Sequence, residues 1–140
     1  MPHHTGFSMK SLLALLTLPF TLFAAHHFQG QHYTAEFYDC SEAILDNAAI
    51  KEAMIAGCVG AGATIIDHIE YEFDNGGYTC LILLAESHAS IHTYPEYKAC
   101  FIDIFTCGDR TQLSWFYDQM QMVLKPKEIT DTLISRGKHE

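Results

Sequence analysis

Residues 63–85 read ATIIDHIEYEFDNGGYTCLILLA, and this stretch decides the fold. Ile65, Ile69, Tyr71 and Phe73 alternate with His68, Glu70 and Glu72, the period of two that sends successive side chains to opposite faces of a strand. Asp67 interrupts the apolar set once. Asp74-Asn75-Gly76-Gly77 is hairpin chemistry, because Asn and Gly accept the positive φ that a tight connection demands. Tyr78–Ala85 follows as a more continuously apolar run, the texture of a central strand. On this pattern Phe73 is a core-facing strand residue.

The flanking segments complete a sheet covered by helices. Tyr33–Tyr38 reads as a half-buried strand. Asp46 or Asn47 caps a helix whose apolar face is Ile50, Met54, Ile55, Cys58 and Val59, and Gly60 and Gly62 end it. Lys98–Thr106 is a further strand. Thr111–Leu124 is a second amphipathic helix, burying Leu113, Phe116, Tyr117, Met120, Val123 and Leu124. A short strand at Glu128–Ile134 closes the chain. Strand–helix–strand–strand–strand–helix–strand with short hairpins predicts an α+β two-layer sandwich, a mainly antiparallel sheet with helices on one face.

At 140 residues, 49% of them apolar and 12% aromatic, the chain has material for one well-buried domain. Seventeen acidic against eight basic residues leave a net charge of −9 with no Lys/Arg cluster, which excludes nucleic-acid binding through phosphates and suits a cationic small molecule. The five cysteines, Cys40, Cys58, Cys80, Cys100 and Cys107, form no CxxC pair and no even framework, as in a reducing compartment. Ahead of the domain at 30–140, residues 1–29 are an extension. Within it, the apolar run 11–25 after Lys10 has the character of a secretory signal, too short for a comfortable membrane span.

Chemistry concentrates in Glu86-Ser87-His88-Ala89-Ser90-Ile91-His92-Thr93-Tyr94-Pro95-Glu96, directly after the apolar strand, and in Phe105-Thr106-Cys107-Gly108-Asp109 after the next one. Each group alone has an ordinary reading. His88 and His92 have metal-ligand spacing on a helix, but Ser90, Ile91, Thr93 and Pro95 disfavour a helix there, and no third ligand is evident; no metal is expected. Ser87 and His92 lack the Gly-x-Ser-x-Gly elbow of a hydrolase. Cys107 alone reads as a buried small residue.

Taken together, these two segments resemble the prokaryotic S-adenosylmethionine decarboxylase proenzymes. The likeness extends to His32–Cys40, Ala61-Gly62-Ala63-Thr64 and Arg136-Gly137, covering residues 30–137. It implies a pyruvoyl enzyme that makes its own cofactor. The Ser87 hydroxyl attacks the carbonyl carbon of Glu86 and exchanges the peptide bond for an ester. His92 moves the proton that lets the ester eliminate, and Thr79, where a serine is more familiar, assists. The resulting dehydroalanine hydrolyses to an N-terminal pyruvoyl group and ammonia, leaving a β chain ending at Glu86 and an α chain beginning at former Ser87.

The same resemblance implies that the pyruvoyl ketone forms a Schiff base with the substrate amine and acts as electron sink for decarboxylation. Cys107 matches the proton donor to the α-carbon. Phe73 and Tyr94 match the aromatic pair that stacks the adenine, Tyr94 replacing a more familiar tryptophan, and Glu96 matches the carboxylate that takes the ribose hydroxyls. His88, Ala89 and Lys98 carry no assigned role. The expected product is decarboxylated S-adenosylmethionine, the aminopropyl donor for spermidine, made by a homodimer with shared sites in the cytoplasm. Rival readings are a related pyruvoyl decarboxylase acting on another amino acid such as arginine, and a non-catalytic binding protein exported through the segment 10–25.

Overall fold

The backbone of the computed structural model runs β1 (Gln29–Tyr38), a 3-10 turn (Glu42–Leu45), α1 (Asn47–Gly60), β2 (Ile65–Glu72), β3 (Tyr78–Leu84), β4 (Ser87–Tyr94), a 3-10 turn (Pro95–Tyr97), β5 (Ala99–Thr106), α2 (Leu113–Leu124) and β6 (Glu128–Gly137). The structure describes residues 29–107 and 111–137, so the signal-like segment 10–25 lies outside the described residues. The strands form one sheet in the order β2-β3-β4-β5-β1-β6, and every neighbouring pair is antiparallel. Both helices pack over one face, as the sequence predicts for an α+β sandwich. No helix among the described residues is long and apolar enough to cross a membrane.

Helix α1 starts where its cap predicts: the Asp46 carboxylate accepts the Ala49 N–H at 3.0 Å, satisfying a backbone donor that has no partner inside the helix. Its buried face is Ile50, Ala53, Met54, Gly57 and Cys58. Gly57 lets the helices approach, since a Cβ there would stand 3.1 Å from the Phe116 Cα. From α2, Phe116, Met120 and Leu124 are fully buried against this face and against Phe37, Ile82, Ile91 and Ile104 from the sheet. At the helix–sheet seam, Glu70 accepts from Lys51 Nζ at 2.8 Å and Tyr78 Oη at 2.5 Å, and these partners hold its carboxyl below the usual carboxylate range. A depressed carboxylate contributes its stability above the unfolded-state pKa and loses it as the pH falls.

Four sequence expectations need correction. Val59 is exposed, lying just off the buried stripe of α1, and Ile55 is only half-buried. The segment after Glu86 is a sixth strand, β4, not foreseen because its outward residues are polar while Ala89, Ile91 and Thr93 point inward. The run Tyr78–Leu84 is not continuously buried; Leu81 and Leu83 are exposed on the helix-free face. The fourth concerns β2, where a register shift between Ile65 and Asp67 inserts one extra residue. A bulge of this kind flips every later side chain to the other face. Ile65 therefore stays inward opposite Leu84, whereas Ile69, Tyr71 and Phe73 join Leu81 and Leu83 outward.

Among the described residues, the sheet thus has one face under the helices and one uncovered. On the uncovered face Ile69, Tyr71, Phe73, Leu81, Leu83, Tyr94 and Phe101 are exposed at between 38% and 69%. The buried layer carries the fold's stability. Phe116→Ala is expected to destabilise the protein by about 3–5 kcal/mol, measured by urea unfolding, whereas Val59→Ala should change it by less than about 0.5 kcal/mol.

Candidate active site

The connection between β3 and β4 is only Ala85-Glu86, since Leu84 pairs directly with Ser87. Two-residue hairpins favour primed turns, whose loop residues take positive φ and are usually Asn or Gly. Neither Ala85 nor Glu86 takes a positive φ; instead Ser87 does, at 147°. A non-glycine residue held there stores about 1–3 kcal/mol. The turn is clamped from the side: Ala85 N–H donates to the Thr64 carbonyl at 2.9 Å, and the Glu86 carboxylate accepts the Thr64 N–H at 2.9 Å.

The carbonyl of Glu86, the one joined to Ser87, meets Cys107 at the end of β5. It accepts the Cys107 N–H at 3.0 Å and the Cys107 thiol at 3.2 Å. Two donors on one carbonyl draw electron density from its carbon and are placed to stabilise charge that develops on the oxygen. Cys107 is not the buried small residue that its type suggests. It is exposed, while Cys40, Cys58, Cys80 and Cys100 are buried. Burial pushes the Cys58 thiol up to about 12 and raises Cys80 as well, so these are inert core groups.

The other sequence-predicted residues gather elsewhere. Thr79 and His92 are opposite partners on β3 and β4, with Thr79 Oγ1 2.8 Å from His92 Nδ1. Phe73 stands edge-on to Tyr71 with ring centres 4.9 Å apart, and Tyr94 lies 5.2 Å from Phe101. Phe73 is outward and half-exposed, not core-facing, because of the bulge in β2. Glu96 sits exposed in the 3-10 turn after β4. A shallow apolar cavity of about 530 Å³, lined by Tyr38, Tyr94, Tyr97, Ala99 and Phe101, adjoins this group. Tyr71 and Phe101 were given no site role from the sequence; the period-two pattern of Phe101, Asp103 and Phe105 on β5 is the signal that places Phe101 outward.

Within one protomer the sequence-predicted residues therefore fall into two separate groups. Glu86, Ser87 and Cys107 lie at one end of β4, and Phe73, Thr79, His92, Tyr94 and Glu96 lie towards the other. Ser87 and His92 are five residues apart on a single strand, about 16 Å at the usual rise. His92 does not reach Ser87 within the protomer.

A serine held at a strained φ beside a carbonyl that accepts two hydrogen bonds is the arrangement that a chain reacting at its own backbone needs. The comparisons identify the family. The sequence profile of S-adenosylmethionine decarboxylase matches residues 31–137. The S-adenosylmethionine decarboxylase proenzyme of Thermosipho melanesiensis is 36% identical over 112 residues, 79% of this chain and 86% of that one. The proenzyme of Prochlorococcus marinus is 46% identical over 83 residues, 59% of this chain and 66% of its own. The crystal structure of the adenosylmethionine decarboxylase from Aquifex aeolicus superposes with a TM-score of 0.72 at 32% identity, covering 81% of this chain and 95% of that one. The chain belongs to the S-adenosylmethionine decarboxylase family.

The strain at Ser87 is measurable. Glycine adopts φ near 147° freely, so Ser87→Gly is expected to be more stable than Ser87→Ala by about 1–3 kcal/mol, reversing the usual order in a strand. Thermal unfolding of the two uncleaved variants compares them directly.

Proposed function

We propose that the chain is a self-processing pyruvoyl-dependent decarboxylase that converts S-adenosylmethionine to its decarboxylated form and carbon dioxide. The observation that carries this reading is the Glu86 carbonyl, held by both Cys107 donors beside the strained Ser87. The Ser87 hydroxyl adds to the Glu86 carbonyl carbon, the two Cys107 donors bear the developing oxyanion, and the C–N bond breaks to leave an ester and a free amine. Removal of the Ser87 Cα proton then expels the Glu86 carboxylate from Cβ. Water replaces the nitrogen of the resulting dehydroalanine, releasing ammonia and leaving a pyruvoyl group at position 87. The residues present fit that group: a serine at the start of a strand, a carbonyl partner able to depart as a carboxylate, and an exposed thiol beside both.

The pyruvoyl group supplies a ketone that takes up the electron pair left when an amino acid loses carbon dioxide. The chain's own side chains supply the rest. Cys107 Sγ gives a proton to the substrate α-carbon, for which a thiol near neutrality is suited. Phe73 and Tyr94 stack the adenine, their faces also favouring the sulfonium charge, and Glu96 accepts the ribose hydroxyls. These outward aromatics favour a nucleoside substrate over an amino acid such as arginine. The cytoplasm is the proposed compartment, since that is where S-adenosylmethionine is made.

The separation of the two groups supports a homodimer in which each site is composite. The uncovered, apolar face of the sheet is the surface that a second copy would cover. Glu86, Ser87 and Cys107 of one protomer then meet Thr79, His92, Phe73, Tyr94 and Glu96 of its partner, and His92 of the second copy moves the proton of the elimination step, oriented by Thr79.

Intact mass under reducing conditions should show two fragments divided between Glu86 and Ser87, the C-terminal one with a pyruvoyl mass; a chain that stays whole on long incubation overturns self-processing. Cys107→Ala, which leaves one oxyanion donor of two, should slow cleavage by about 100-fold, with Cys107→Ser intermediate. Composite sites predict complementation. Ser87→Ala and His92→Ala each remain uncleaved alone, but when co-expressed the His92→Ala chain is cut, because its Ser87 meets an intact His92 from the partner. Absence of cutting in the mixture would place His92 in the same protomer as the bond that it serves.

A further inference from the structure

We infer that His32, His88 and Asp103 form a site for a divalent transition ion of the zinc type. The mechanism above uses none of them. They come from β1, β4 and β5, adjacent strands in the sheet order, and all three project from the uncovered face. His32 and His88 both register against Phe105, flanking β5 from either side, and Asp103 lies two residues along the same strand. The side chains converge on one oxygen: Asp103 Oδ2 is 3.0 Å from His32 Nε2 and 3.4 Å from His88 Nε2. The three ligand atoms lie within 4.8 Å of one another.

The 3.0 and 3.4 Å separations from Asp103 are those of neighbouring ligands around a small cation. Metal–nitrogen and metal–oxygen bonds of about 2.0–2.2 Å put adjacent ligand atoms about 3.0–3.4 Å apart. Two imidazoles and one carboxylate with open positions suit zinc or ferrous iron and not the all-oxygen ions magnesium and calcium. Ser90 donates its hydroxyl to the other Asp103 oxygen and fixes the carboxylate, the supporting contact that metal ligands commonly have. His32, Ser90 and Asp103 line, together with His92, a cavity of about 450 Å³ that leaves room for water on the open positions and that, in the proposed homodimer, faces the partner. The net charge of −9 favours a cation.

Such a site has a consequence for the cut chain that rests on the self-processing reading. His32 belongs to the segment before Glu86, and His88 and Asp103 belong to the segment after it. A bound ion would join the two pieces across the central strands.

The test is zinc binding by the chelator-stripped, dialysed protein, followed by titration calorimetry and elemental analysis. The wild type is expected to hold one more zinc per protomer than His32→Ala, and Asp103→Asn to bind at that site at least ~10-fold more weakly. Zinc should raise the melting temperature of the wild type and not of His32→Ala. Histidines elsewhere and the thiols are shared by all variants, so only the difference counts. His32→Gln, which keeps a donor to Asp103 while being a poor ligand, stands in should His32→Ala fail to fold. Equal zinc content and affinity in wild type and both His32 variants overturns the site and leaves a carboxylate with two hydrogen-bonded histidines. Ser87→Ala should bind the same zinc uncleaved, so a failure of self-cleavage and a failure of this inference are separable.

Discussion

The geometry of the Glu86–Ser87 peptide follows from a two-residue connection that contains no glycine. Leu84 and Ser87 are paired across it, and the chain must reverse within Ala85-Glu86. Residues with a Cβ resist the positive φ that such a turn wants, and the distortion passes to the next residue, Ser87. Three surrounding contacts keep it there. Thr64 holds both sides of the turn, β5 delivers Cys107 to the Glu86 carbonyl, and the ladder to Thr106 anchors Ser87 from behind. The core beneath makes this frame rigid, with β3, β4 and β5 each contributing fully buried isoleucines. Strain can persist only where its surroundings over-determine it.

The second constraint is the bulge in β2. Without it, Tyr71 and Phe73 would point under the helices, and the uncovered face would lose its aromatic pair. One extra residue at Ile66 turns an ordinary amphipathic strand into one that is core-facing at its start and outward thereafter. The same shift sends Glu70 inward, to the seam where Lys51 and Tyr78 meet it. An exposed aromatic surface and a structural contact thus share one backbone irregularity.

Much of the fold was legible in the sequence because its signals are local. Asp46 caps α1, the Asp74–Gly77 turn joins β2 to β3, and the stripe Leu113, Phe116, Met120 and Leu124 faces inward. What was not legible depends on partners far along the chain. Strand β4 hid because a pairing partner on each side lets it carry polar residues on its outer face, a pattern that reads as a reactive loop. Phe73 was assigned the wrong face because a bulge is a property of two strands and not of one. The candidate site was legible as a set of residues but not as an arrangement: Ser87 and His92 look close in sequence, yet the rise of the strand holds them apart. Cys107 was legible as chemistry, while its second donor, the backbone N–H, has no sequence signature at all.

The order of strands would give the proposed cut its physical character. Division between Glu86 and Ser87 would leave β1, β2 and β3 in one piece and β4, β5 and β6 in the other. In the sheet these alternate, so that three of the five ladders, β3–β4, β5–β1 and β1–β6, run between the pieces. The halves would be interleaved like the fingers of two hands, and parting them would mean dismantling the sheet. Folding before the cut is a unimolecular event with local connections; refolding afterwards is an encounter of two incomplete chains, each with unpaired strand edges. Such a protein would be persistent once formed, yet its recovery from denaturant would depend on concentration and compete with aggregation.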